Sequence, residues 1–288
     1  ALIPQGYTVA DNTLIGVLSI PPSEKQLAEN PKSDWFGSPA IALPNRQDSG
    51  TYDKKLLYYP NLSKRIARGI IEFIRIILPQ SVIFAGTTLF VAYAHDLVSK
   101  EPIINTITQL PFYYLFFIGI PALVVSIVFK WLVIGKYTKE NLPMWSFRVW
   151  RSEAVTTTYE ALAIPFLLDY LRGTPWLPFI LRFYGVRVGE KVYLNTSDIT
   201  EFDLVSIGNE AELNEDCGPQ THLFEDRVMK IGSVDFGVRS NIGTRTIVLY
   251  DTNIGDDVHI MPLSLVMKGE TLGSNSVWMG SPIEKVGN

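Results

Sequence analysis

The stretch Phe236-Gly-Val-Arg-Ser-Asn-Ile242-Gly-Thr-Arg-Thr-Ile-Val248-Leu-Tyr-Asp-Thr-Asn-Ile254-Gly-Asp-Asp-Val-His-Ile260 decides the fold, because an apolar residue returns at every sixth position. The step runs on without a slip through Val266, Leu272 and Trp278. Glycine follows four of these anchors, at Gly237, Gly243, Gly255 and Gly273, and small residues (Ser240, Thr246, Thr252, Val258, Ser264, Ser276) stand four places after the anchor. This is a hexapeptide repeat: each hexad makes one short strand and turn, and stacked coils bury a continuous core that no single coil can bury alone. The spacing predicts a left-handed parallel β-helix over residues 186–288. The frame can be followed back through Ile231, Leu213 and Ile207, and separately through Val186, Val188, Val192 and Leu194, but it loses its anchors between Leu213 and Ile231.

A shorter copy of the same pattern stands near the other end. Val9-Ala-Asp-Asn-Thr-Leu-Ile-Gly-Val-Leu-Ser-Ile20, closing on Trp35-Phe-Gly-Ser-Pro-Ala40, parallels Ile254 to Leu265, closing on Trp278-Met-Gly-Ser-Pro-Ile283. Ile3, Val9 and Ile15 keep the six-residue step, so residues 1–40 are expected to be the last coils of a preceding β-helix module, with a loop over 21–34 and a polar linker over 41–60.

Between the copies lie two uncharged apolar stretches, Ile76 to Ala94 and Ile103 to Phe129. At ~1.5 Å per residue the shorter reaches about 28 Å, close to the ~30 Å hydrocarbon core, so residues 61–151 are expected to hold a transmembrane helical hairpin. An amphipathic helix carrying Ile66, Ile70, Phe73, Ile74 and Ile77 is expected before it in the interface. Lys64, Arg65, Arg68 and Arg75 precede the first stretch and Lys130, Lys136, Lys139, Arg148 and Arg151 follow the second, whereas the connecting loop has only Lys100. Positive residues stay cytoplasmic, which places both soluble parts in the cytoplasm and the loop outside. Residues 152–185, rich in Trp and Leu, read either as interfacial helices or as the cap of the second module.

Of the 288 residues 47% are hydrophobic and 19% charged, with net charge −4, and no basic tract gives a nucleic-acid footprint. The lone Cys217 forms no intrachain disulfide and, beside Glu215 and Asp216, is a poor thiolate. No phosphate-binding Gly loop, nucleophile elbow or metal-ligand cluster is present in the sequence.

The hexad frame, Gly173-Thr-Pro175, Leu181-Arg-Phe-Tyr-Gly-Val-Arg-Val-Gly189, Thr200-Glu-Phe-Asp-Leu-Val-Ser-Ile-Gly208 and Gln220-Thr-His-Leu-Phe-Glu-Asp-Arg-Val-Met-Lys230 together resemble one family over nearly the whole chain. It is the membrane-embedded C-terminal region of ε-poly-lysine-synthetase-type nonribosomal peptide synthetases, where helix pairs alternate with hexapeptide modules. The resemblance implies a protein of the bacterial inner membrane that forms an amide bond between amino acids. One of these is held as a thioester on the phosphopantetheine of a separate carrier domain. Its partners would be the adenylation and carrier domains of the same parent polypeptide, amino-acid substrates and the lipid bilayer.

In that setting His222, where the frame is interrupted, is the expected general base on the attacking amine, oriented by Glu225 or Asp226. Arg227 and Lys230 would hold acidic groups of the arm or pair with those carboxylates; Asp198, Glu201 and Asp203 would bind a substrate ammonium; Lys268 and Glu270 would line the same cleft. Two other classes fit the array: a catalytically silent membrane scaffold or export path, and a coenzyme-A-dependent hexapeptide acyltransferase.

Overall fold

The computed structural model describes residues 3–10, 13–16, 19–29, 34–37, 40–43 and 51–287. It divides into a small unit within residues 1–50 and a large one from Thr51 onward.

In the large unit the hexads coil. Phe236 pairs in parallel with Ile254 and that residue with Leu272; Ile242 pairs with Ile260 and that with Trp278; Val248 pairs with Val266. Each step is 18 residues, three hexads, so the chain wraps a three-sided parallel β-helix. The anchors from Phe236 to Leu272 are at most 4% exposed, each contributing about 1.5–3 kcal/mol of apolar burial. Trp278 is partly buried at the end of the row. The small residues at the fourth place are buried too, because a larger side chain would not fit inside the corner.

The corners lie three residues after each anchor and have left-handed backbone: Arg239, Arg245, Asp251, Asp257, Leu263, Gly269 and Asn275 all have positive φ. Glycine is demanded elsewhere, by close approach. A Cβ on Gly237 would lie 2.5 Å from the carbonyl of Gly255 one coil along, whereas one on Gly273 would meet nothing within 4 Å. Gly237→Ala should therefore cost about 1–3 kcal/mol in chemical denaturation, and Gly273→Ala in the same frame position far less.

One coil is longer than the rest. Ile207 pairs with Phe236 and Pro219 with Val248, a separation of 29 residues against 18 in the later coils and 19 in the first. The excess of 11 is the region where the apolar frame fails. It forms an antiparallel hairpin, His222–Glu225 against Val228–Ile231, turning at Asp226 and Arg227, both with positive φ. The segment Glu140–Pro143 adds a third antiparallel strand beside Val228–Ile231.

The first long helix runs unbroken from Leu62 to Lys100. The expected separate interfacial helix is thus its first turns, since no proline stands between Ile66 and Ile77 and Pro79 is accommodated within the helix. Ala67 and Ile71 pack on the core, while Ile66, Ile70, Phe73, Ile74 and Ile77 remain exposed. The second apolar stretch is Ile103–Tyr114, a π turn at Leu115–Gly119, then Ile120–Val133, with Pro121 opening the last part. Both long segments have the length and composition to cross a bilayer, and only 11% and 22% of their most apolar windows are buried, unlike core helices of a globular domain.

The helices Phe147–Thr158 and Trp176–Tyr184 cap the coil: Val149, Trp150, Leu177, Leu181 and Tyr184 are buried in one core with Ile199, Phe202 and the hexad anchors. The outer face of the second cap helix leaves Trp176, Phe179 and Phe183 exposed.

In the small unit Ile15 bridges in parallel to Trp35, whose strand Asp34–Phe36 pairs antiparallel with Ile41–Leu43. The second copy does the same: Ile260 pairs with Trp278, whose strand runs antiparallel to Glu284–Gly287. The stretch expected as a loop contains a helix, Glu24–Glu29, because Ser23 and Gln26 bond reciprocally across its first turn as a capping box. The expected linker holds the strand Ile41–Leu43 and a helical turn Lys54–Leu57, and its residues 44–50 lie outside the described ones, as do Asp11, Asn12, Val17, Leu18, Ser38 and Pro39 of the first copy.

Candidate functional site

The inserted hairpin brings His222 against the cap helix. Its Nδ1 lies 2.8 Å from Oε2 of Glu201, a carboxylate with no solvent exposure at all. Thr221 Oγ1 donates to the same oxygen at 2.6 Å, and Ser152 Oγ lies 3.2 Å from Oε1 and 3.4 Å from the Tyr137 hydroxyl. Glu201 also has a left-handed backbone, φ 41°, which a residue with a side chain adopts at a cost of about 1–2 kcal/mol. Held there, the carboxylate is oriented by three side chains and has little freedom to leave His222.

Burial disfavours a charged imidazole, but the hydrogen bond and charge of Glu201, with Glu153 and Glu160 behind it, outweigh that and raise the His222 pKa above its ordinary 6.5. Burial likewise pushes the Glu201 carboxyl up, and His222, Thr221 and Thr200 outweigh it, leaving its pKa below the ordinary 4.5. The raised His222 value contributes stability that is complete below 6.5 and lost as pH rises through the folded value; Glu201 contributes above 4.5 and loses it as pH falls through its own. The dyad thus stabilises most between those limits. With Nδ1–H on the carboxylate, Nε2 is the nitrogen that carries the lone pair.

His222, 23% exposed, lines a pocket of about 140 Å³ together with Met229 of the hairpin, Arg75 of the first long helix, and Ser152, Glu153, Thr156 and Thr157 of the first cap helix. A basic imidazole nitrogen at a cavity of this kind can take a proton from a bound nucleophile.

The expected partners of His222 are elsewhere. Strand alternation turns Glu225 to the opposite face of the hairpin from His222, where it pairs with Lys230 at 2.9 Å and Lys268 at 2.5 Å. Burial raises the Glu225 pKa, and the hydrogen bonds of these two lysines more than offset it. Asp226 occupies the exposed hairpin turn. Arg227 stacks over the Tyr58 ring, 4.6 Å from its centroid. Lys230, 2% exposed, takes the ion-pair role rather than facing a ligand.

Asp203 holds an internal ammonium, Lys130 Nζ at 2.8 Å, and the Tyr137 N–H at 3.0 Å, so it is not presented to a substrate. Asp198 is exposed and lines no part of the pocket; Glu270 accepts from the Met267 N–H; neither it nor Lys268 reaches the cleft. Glu201, grouped in the sequence with the ammonium binders, is instead the carboxylate behind His222. Cys217 is buried and its thiol is pushed up to about 12 by that burial. Among the described residues no cluster of His, Cys, Asp and Glu has the makings of a metal site.

Fold and site define a hexapeptide-repeat β-helix with a His–Glu dyad in an inserted hairpin beside a pair of long apolar helices. No protein-family model matches the chain. It is 44% identical over 282 residues to the delta-poly-L-ornithine synthetase of Acinetobacter baumannii (strain AB307-0294), a match covering 98% of this chain and 21% of that protein. The chain thus spans about a fifth of the length of that relative. Similar solved structures include a maltose O-acetyltransferase from Clostridium difficile 630 (20% identity, TM-score 0.34, covering 42% of this chain and 82% of that one). A hexapeptide-repeat serine O-acetyltransferase from Brucella melitensis matches at 11% identity and TM-score 0.32, covering 80% and 83%.

Proposed function

We propose that this chain is an amide-forming, acyltransferase-type module of a membrane-bound poly-amino-acid synthetase. The observation that carries the reading is the His222–Glu201 dyad opening onto a pocket; the similarity to a poly-ornithine synthetase supports the choice of reaction. His222 Nε2 takes a proton as the amine nitrogen attacks the carbonyl of an aminoacyl thioester. The carbon–sulfur bond then breaks, the thiolate leaves with the proton returned by His222, and an amide remains. Glu201 fixes the tautomer and stabilises the imidazolium while the proton is in transit. The thioester is carried on the phosphopantetheine of a separate carrier domain of the parent polypeptide, and adenylation occurs in another domain. A silent scaffold would have no use for a strained, buried Glu201 aimed at a half-buried His.

The two long helices are read as a transmembrane hairpin of the bacterial inner membrane. Their bare apolar surface and the basic residues at the outer ends of both support cytoplasmic placement of the β-helix.

The test supplies the complete parent protein in lipid vesicles with an aminoacyl-pantetheine thioester and a labelled free amino acid, without ATP. Amide product should form, and because the base must be neutral, the rate should rise with pH to a plateau with its midpoint above 6.5. Absence of product from inserted, folded protein, or a rate indifferent to pH from about 5.5 to 8.5, sinks the proposal.

A further inference from the structure

The pocket beside His222 has a charged wall that the dyad does not need. Arg75 and Glu153 both line it, one from the long apolar helix and one from the cap helix, so a cation and an anion face a single small cavity. Their engagement with neighbours is unequal. Arg68 makes the close ion pairs with both Glu72 and Glu153. Arg75 has only long contacts through Nη1, 3.4 Å to Glu72 and 4.0 Å to Glu153, and among the described residues its other N–H groups make no hydrogen bond. A guanidinium offers five N–H donors in a planar fork suited to a carboxylate. Arg75 is 26% exposed, so this fork is available at the pocket rather than sealed in the core.

We infer that Arg75 binds the carboxylate of the acceptor amino acid, and so sets the acceptor specificity of the amide-forming reaction proposed above, on which this assignment rests. With its carboxylate on Arg75, the acceptor has Glu153 for its ammonium and His222 for the proton that ammonium or amine must lose. Thr156 and Thr157, also in the lining, offer neutral hydroxyls as hydrogen-bond partners. About 140 Å³ accommodates a few water-sized groups, which suits one amino-acid unit and not a folded peptide. The acceptor site is then built jointly by the helix that enters the apolar stretch and by the β-helix hairpin, which gives the fusion of the two parts a chemical purpose.

The experiment gives the complete parent protein the same aminoacyl-pantetheine donor with either the free amino acid or its carboxamide as acceptor. Wild type should prefer the carboxylate roughly 10- to 100-fold in kcat/KM, the range a hydrogen bond to a charged group supports. Arg75→Gln should erase that preference through a rise in KM for the free amino acid, with carrier loading untouched, and Arg75→Lys should keep part of it. Equal use of the two acceptors by wild type, or full preference retained in Arg75→Gln, overturns the assignment. Failure of the amide-forming reading shows differently, as undiminished condensation in a His222 variant whatever Arg75 does.

Discussion

His222→Ala should lower amide formation by the complete parent protein about 10²- to 10⁴-fold while leaving activation of the monomer and loading of the carrier at wild-type levels. On the proposed mechanism the magnitude follows from the base being lost at the step where the amine must shed a proton, and the selectivity from adenylation and thiolation being assigned to other domains. Glu201→Gln gives the companion result. An amide side chain can still touch Nδ1, but it removes the negative charge that raises the His222 pKa, so the acid limb of the rate profile should move to lower pH as the rate falls. A merely structural His222 would change folding and insertion without that shift. Where further modules of a parent protein share the proposed reaction they would sustain some synthesis, so product length must be followed with yield. Unchanged yield, length and loading in a correctly inserted His222→Ala protein would remove the residue from the chemistry and favour the scaffold reading.

The β-helix was legible because its signal is local. An anchor such as Ile242 is buried by its own hexad's position, whatever the distant chain does, and the same is true of the small residue four places on. The corners were less legible: Arg239, Arg245 and Leu263 adopt positive φ although nothing in those side chains asks for it, since the coil imposes the conformation at every third place after an anchor. Interrupted periodicity located His222 correctly in an irregular segment, but sequence neighbours were the wrong place to seek its carboxylate. Along a strand, Glu225 falls on the face opposite His222. Glu201 stands 21 residues before His222, in the enlarged coil whose pairings lie 29 residues apart, so neither sequence proximity nor the 18-residue period points to it.

The helical segments show the same division. Length and apolarity identified both long helices, yet two readings of residues 152–185, interfacial or capping, stayed level, and the structure accounts for that. Leu177, Leu181 and Tyr184 bury one face of Trp176–Tyr184 in the core, while Trp176, Phe179 and Phe183 leave the other bare. A helix apolar on both faces satisfies either pattern, because hydrophobicity alone does not say which solvent each face meets. Lys130 escaped notice for a related reason: as one more positive residue after an apolar stretch, it counted only toward orientation.

Its place in the structure leads to the second large effect, on stability. Lys130→Met should destabilise the large unit by about 3–5 kcal/mol, the cost of leaving one member of a buried pair without the other. Lys130 has no exposed surface and Asp203 only 12%, with Nζ and Oδ2 2.8 Å apart, and the ammonium also lies 3.4 Å from the centre of the Trp131 ring. The lysine closes the second long helix; the aspartate follows Glu201 by two residues in the same turn of the coil. The Tyr137 N–H bonds Asp203 as well, while the Tyr137 hydroxyl neighbours Ser152, which in turn contacts Glu201. Removing the ammonium leaves Asp203, among the described residues, with the Tyr137 N–H as its remaining donor in a water-poor site. Removing both charges does not, so Lys130→Met with Asp203→Asn should recover most of the lost stability, the pair's attraction having largely gone to offset its own desolvation. Equilibrium unfolding of the two single variants and the double variant in detergent measures the coupling. A double variant as unstable as the sum of the singles would mean that the two residues act independently, and that the long helix is not fastened to the coil at this point.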